Sequence, residues 1–117
     1  MDQRYITLLR EELIPALGCT EPIAIAYAAA TAARTLGRAP QHILCQCSGN
    51  IIKNVQSVSV PNSGGLKGVA AAAALGALGG DPALELNVLQ RVGSAEQQAA
   101  RDFLEAGSCE VRLLETS

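Results

Sequence analysis

The sequence predicts an α+β fold, a small sheet of about three strands packed with several Ala-rich helices. Two observations carry this. Alanine-dominated stretches with helix-type starts and glycine stops fill residues 21–36 and 66–78, whereas period-two alternation of apolar side chains appears at 42–48, 55–60 and 109–115. These elements do not alternate regularly enough for a doubly wound sheet. At 117 residues, 49% hydrophobic and 17% charged, residues 1–117 read as one globular domain able to bury a core without disulfide staples.

The elements follow in order. Ile6, Leu9, Leu13 and Leu17 recur at helical spacing opposite Arg10, Glu11 and Glu12, which predicts a surface helix from about residue 3, ended or kinked at Pro15. A second helix is expected to open at Thr20-Glu21-Pro22, with a capping hydroxyl, an acid at the positive end of the dipole and a first-turn proline. It runs to about Leu36 and stops at Gly37. Its body is apolar on every face, so other elements should surround it.

A strand over 42–48 follows, with Ile43, Cys45 and Cys47 on one face, then a helical turn over 50–54 and a second strand over 55–60 that ends at Pro61. The loop Pro61-Asn62-Ser63-Gly64-Gly65 leads into an Ala-rich helix over 66–78. Asp81-Pro82 starts a helix to about Val92, and Ser94-x-x-Gln97 reads as a capping box for another through Ala106. Residues 109–115 close as a strand.

Several function classes are excluded by composition. The net charge is −2 and no run of Lys or Arg occurs, so nucleic acid and anionic membrane are poor partners. The longest apolar run, residues 22–33, is mostly alanine and falls short of the ~20 strongly apolar residues that span a bilayer. No secretion signal is visible at the start, and four irregularly spaced cysteines suit a reducing compartment, so the cytoplasm is the expected location.

Among chemistry-bearing residues, Cys19 stands first. A thiol beside the unpaired N–H groups of a helix start can ionise well below its usual ~8.5 and act as base, nucleophile or ligand; from position alone a small core residue in a turn is the favoured reading. Lys53 and Asn54 offer a cation and an amide for a carboxylate or a developing negative charge, or else form a solvated turn. Residues 62–65, with Ser63 and Gly64, precede a helix and can present backbone N–H groups to an anion, although no nucleotide-loop pattern is present. Glu21 is accounted for by the helix dipole and takes a supporting role. Cys45-x-Cys47 lacks the second pair that structural zinc requires and reads as core thiols; a thiol-based redox pair is the weaker alternative, in poor disulfide geometry. His42, the single histidine, reads as a surface residue.

Taken together, Ala16-Leu17-Gly18-Cys19-Thr20-Glu21-Pro22-Ile23, Asn50-x-x-Lys53-Asn54, Val60-Pro61 and Ala73-Ala74-Leu75-Gly76 resemble the amino-terminal segments of the L-cysteine desulfidase family, which is related to iron-sulfur-dependent serine dehydratases. The resemblance covers nearly the whole chain. It implies a lyase that cleaves L-cysteine to pyruvate, ammonia and sulfide, or L-serine with loss of water, with a four-iron, four-sulfur cluster as Lewis acid. It implies catalytic roles for Cys19 and Lys53 and substrate contacts for Thr20, Glu21, Asn50, Asn54, Ser63 and Gly64. The cluster ligands would lie outside this chain, in a carboxy-terminal domain or companion subunit, and the whole is expected to be an oligomer. The isolated chain is then expected not to turn over substrate. A non-catalytic binding or assembly subunit of the same fold is the alternative. The chain departs from the family pattern where Val55 follows Asn54 in place of Gly, where Asn62-Ser63 replaces Gly-Thr, and in its early ending.

Overall fold

The alternation along His42-Ile43-Leu44-Cys45-Gln46-Cys47 is realised as a strand in the computed structural model, which describes residues 5–10, 21–38, 40–47, 49–56 and 58–113. This strand is the centre of a three-stranded sheet of order β1-β2-β3, with β1 Tyr5–Arg10, β2 His42–Cys47 and β3 Cys109–Leu113. Both pairings are parallel, Ile6 lying opposite Ile43 and Ile43 opposite Cys109. Ile43, Cys45 and Cys47 are buried on one face of β2, while His42, Leu44 and Gln46 are half-buried on the other.

The buried face is covered by two helices that also pack on each other: α1 Glu21–Leu36 lies against β1, and the helix Val69–Gly79, here α3, lies against β2 and β3. Their contact is built from small residues. Ala24, Ala26, Ala29 and Ala30 of α1 and Ala71 to Ala74 of α3 are buried. At Gly76 a Cβ would sit 2.6 Å from the Ala26 Cα, so the two backbones touch and no side chain fits between them. Ile25, Ile43, Leu75 and Leu89 supply the large apolar groups, each worth about 1.5–3 kcal/mol when fully buried.

Backbone bonds close both helices at their carboxyl ends. Gly37, at φ +85, donates its N–H to Ala33 O and Arg34 O, and the Gly80 N–H reaches Gly76 O. A short α2, Gly49–Val55, follows β2, and a 3-10 helix, Pro82–Asn87, follows α3. The amphipathic α4, Ser94–Glu105, packs on α3 through its buried Ala100 and the half-buried Phe103 and Leu104.

Five expectations need correction. Residues 5–10 form a strand, not the start of a surface helix, because Tyr5-Ile6-Thr7-Leu8-Leu9 is also a β-prone run and pairs along β2; Leu13, Pro15 and Leu17 lie outside the described residues. Residues 55–60 are not a strand: Val55 ends α2, Val58 is exposed, and only an isolated antiparallel bridge joins Ser59 to Lys67. The helix expected from 66 begins at Val69, since Leu66 is held in the preceding loop and Gly68 has φ +96. The helix after Asp81-Pro82 is a 3-10 helix interrupted at Glu85, φ +54, followed by turns rather than an α-helix to Val92. The box at the start of α4 falls one residue earlier, with the Gly93 N–H donating to Glu96 Oε1 at 2.9 Å.

Candidate functional site

In a parallel sheet every strand points the same way, and ligands bind outside the carboxyl ends of the strands. Here the segment that leaves β1 carries Gly18-Cys19-Thr20 and enters α1 at Glu21, and the segment that leaves β2 enters α2, which bears Asn50, Lys53 and Asn54. α1 and α2 therefore both start beyond the carboxyl ends of adjacent parallel strands. Gly18, Cys19 and Thr20 lie outside the described residues, whereas Glu21 is the first residue of α1.

On α2, Asn50 and Lys53 are exposed and three residues apart, which puts them on one side of the helix. Val55 is fully buried and Ile52 packs against the core, so the short helix is pinned by its apolar side. α2 packs against α1 and its first residue adjoins β3, a Cβ at Gly49 lying 3.6 Å from Leu113 Cδ1.

The 61–65 loop reaches the same end of α1. Ile23, Pro61, Asn62, Asn87, Leu89 and Gln90 line a cavity of about 150 Å³. Asn62, at φ +57, donates from Nδ2 to Leu89 O and Val92 O, both at 2.9 Å, and its own carbonyl accepts from Gln97 Nε2 at 3.0 Å. Ser63 is buried, its Oγ accepting from the Leu66 N–H at 2.9 Å and donating to Leu66 O at 3.3 Å. Gly64 is exposed at φ +76, and its carbonyl accepts from Arg101 Nη2 at 3.0 Å. The Ser63 hydroxyl is thus engaged in shaping the loop. Asn62 belongs to the loop that the sequence already marks, whereas Asn87 and Gln90, which also line the cavity, have no local signal.

These contacts give the family departures a conformational account. Asn is the non-glycine residue best suited to left-handed backbone, so Asn62 keeps the geometry that a glycine provides. Ser63 keeps the hydroxyl of a threonine. The Val55 side chain fills core.

The remaining thiols lie on the inner side of the sheet. Cys45 and Cys47 are fully buried and Cys109 is half-buried, its Sγ donating to Ala70 O at 3.7 Å. A hydrogen bond to Cys109, then burial and the neighbouring thiols, hold the Cys45 thiol far above the ordinary range, and the same bond from Cys45 lowers Cys109. Cys45 and Cys109 are two residues out of register, which places their Cα atoms about 8 Å apart by ordinary strand spacing, beyond disulfide reach. His42 is half-buried rather than a plain surface residue.

An iron-sulfur cluster needs thiolates grouped around an open space. Cys45 is a protonated core thiol, and among the described residues no three His, Cys, Asp or Glu side chains are grouped to hold a metal ion. Cys45, Cys47 and Cys109 do not fit that group. Among the described residues no helix is long and apolar enough to cross a membrane.

No family model and no solved structure matches the sequence. Curated bacterial proteins do. The chain is 47% identical over 114 residues to a UPF0597 protein of Treponema denticola, covering 97% of this chain and 26% of that protein. It is 51% identical over 113 residues to one of Finegoldia magna, covering 97% and 27%. Against one of Lachnoclostridium phytofermentans it is 45% identical over 117 residues, covering 100% and 28%.

Fold and matches together define an α+β segment shared with much longer bacterial chains, since this one spans about a quarter of the length of the relatives it matches. Nearly the whole of this chain is similar to that quarter of the UPF0597 proteins.

Proposed function

We propose that this chain supplies the amino-terminal part of an iron-sulfur-dependent lyase that performs β-elimination on L-cysteine or L-serine. The observation that supports the reading is topological: α1, which opens at Glu21, and α2, which carries Asn50, Lys53 and Asn54, follow adjacent parallel strands and start beyond their carboxyl ends. The resemblance of those segments to the cysteine desulfidases supplies the chemistry.

In this reading Cys19, at the start of α1, takes the α-proton of the substrate, and Lys53 with Asn50 and Asn54 holds the substrate carboxylate. Thr20 and Glu21 orient the thiol from the first turn. Ser63 and Gly64 shape the loop that, with Asn62, closes the end of α1. Loss of sulfide or water leaves an enamine, which tautomerises and hydrolyses to pyruvate and ammonia. The cluster that the resemblance implies takes its ligands from polypeptide other than Cys45, Cys47 and Cys109, in a companion domain or subunit of an oligomer. The alternative is a non-catalytic binding or assembly subunit of the same fold.

The test is a chimera in which this chain replaces the matching stretch of the Treponema denticola relative, reconstituted anaerobically and assayed for pyruvate from L-cysteine and L-serine. Cys19→Ala should abolish pyruvate formation, and Lys53→Met should raise KM more than it lowers kcat. Full activity in Cys19→Ala would sink the base assignment; no activity in the parent chimera, with the cluster present, favours the assembly unit.

A further inference from the structure

Helices packed on a parallel sheet run against the strands, so the carboxyl ends of α1 and α3 lie at the opposite edge from the candidate site. Between them is an open groove of about 380 Å³ whose floor is small and apolar, from Ala30, Ala33, Ala77, Leu78 and Pro82, and which Arg34 and Arg38 border.

Arg38 is surplus to the contacts that hold this corner. Helix ends attract cations because their last carbonyls lack partners, and here Gly37 and Gly80 donate to the carbonyls of Ala33, Arg34 and Gly76. One carboxylate serves the corner: Asp81 Oδ1 caps the 3-10 helix through the Ala83 N–H at 3.0 Å and meets Arg34 at 3.3 Å, while Arg91 stands 3.9 Å from Oδ2. Arg38 makes no hydrogen bond or ion pair among the described residues. Arg34 and Arg91 thus share one acid, and Arg38 borders the same groove without one, in a chain whose net charge is −2.

We infer that this groove binds a small organic anion, its carboxylate or phosphate held by Arg34 and Arg38 and its compact apolar body seated on the alanine floor. A planar guanidinium fork matches either head group bidentately and stays charged at every physiological pH. The volume falls in the range of small-molecule sites. The site is separate from the carboxyl edge and rests on none of the residues assigned to chemistry above.

The test is a nitrogen-15 NMR titration of the 117-residue chain with 3-methylbutyrate, isobutyl phosphate, inorganic phosphate and the neutral 3-methylbutyramide. Saturable shifts at Gly37, Arg38 and Gly80 with at least one organic anion, weakened at least fivefold in Arg38→Gln and absent with the amide, are expected. The tighter of the two organic anions names the head group. No saturation below about 10 mM overturns the inference. So does an equal response to the amide, inorganic phosphate binding as tightly as the organic anions, or unchanged affinity in Arg38→Gln. Because Arg38 is exposed, its substitution leaves the core intact.

Discussion

The α1–α3 contact and the 61–65 loop both bring backbone close to backbone, by opposite means. Between the helices, side chains are removed: Gly76 lies on Ala26, with buried alanines around them. In the loop, side chains are added: Asn62, Ser63, Gln97 and Arg101 spend their polar groups on main-chain partners and hold a left-handed turn in place. A missing methyl group governs the first region and a hydrogen bond the second, so the two should fail differently.

The largest effect is expected at the helix pair. Gly76→Ala drives a methyl group into the Ala26 backbone, which cannot rotate away, and should cost at least the ~1–3 kcal/mol typical of overpacking. Urea unfolding should show a lower midpoint, and a wild-type midpoint would break the comparison. Next comes Asn62. Asn62→Ala removes the amide donor from Val92 O and leaves Leu89 O with its Val92 N–H alone, and it puts an alanine at φ +57; Asn62→Gly removes the amide donor without the conformational strain. The alanine variant should be the less stable, by about 1 kcal/mol, in the same urea assay. Equal losses would show that conformation is irrelevant there.

The smallest effect concerns the thiols. Cys45 is held as a thiol when folded, so above the ordinary thiol value of 9.0 the unfolded chain releases a proton that the folded chain keeps, and stability falls as pH rises through that window. Lowering of Cys109 works in the opposite direction below 9.0 and partly offsets the fall near it. Cys45→Ala should flatten the decline in urea midpoint between pH 8.5 and 10.5, roughly the window set by the free thiol. An unchanged slope would sever the link between burial and titration.

How much of this was legible depends on which force shapes each segment. Both Ala-rich helices could be read because alanine propensity, first-turn Pro22 and stop residue Gly37 agree with the tertiary structure. β2 could be read because one of its faces is buried and the other is half-buried, which preserves alternation. β1 could not: parallel strands carry near-continuous apolar runs, and Ile6 with Leu9 imitates helical spacing. The apparent strand at 55–60 failed because its valines serve separate ends, Val55 closing a helix and Val60 donating its N–H to Leu66 O. At the candidate site, the chain order of Glu21 and Lys53 was visible but the departure of α1 and α2 from the carboxyl ends of adjacent parallel strands was not, since that follows from strand direction. Asn87 and Gln90 reach the cavity only through a kinked 3-10 segment that no local pattern announces.

The alanine seam between α1 and α3 has a genetic consequence. From an alanine codon, single-base changes lead to valine, threonine, proline, serine, glycine, aspartate or glutamate, most of which enlarge or charge the side chain. In a seam with no spare volume, few of these are tolerable at Ala72 or Ala73, which share the Gly76 side of α3. Invariance at these positions among relatives would therefore report lack of room, and a search for chemistry should look instead to exposed residues such as Lys53, where nothing in the packing forbids change.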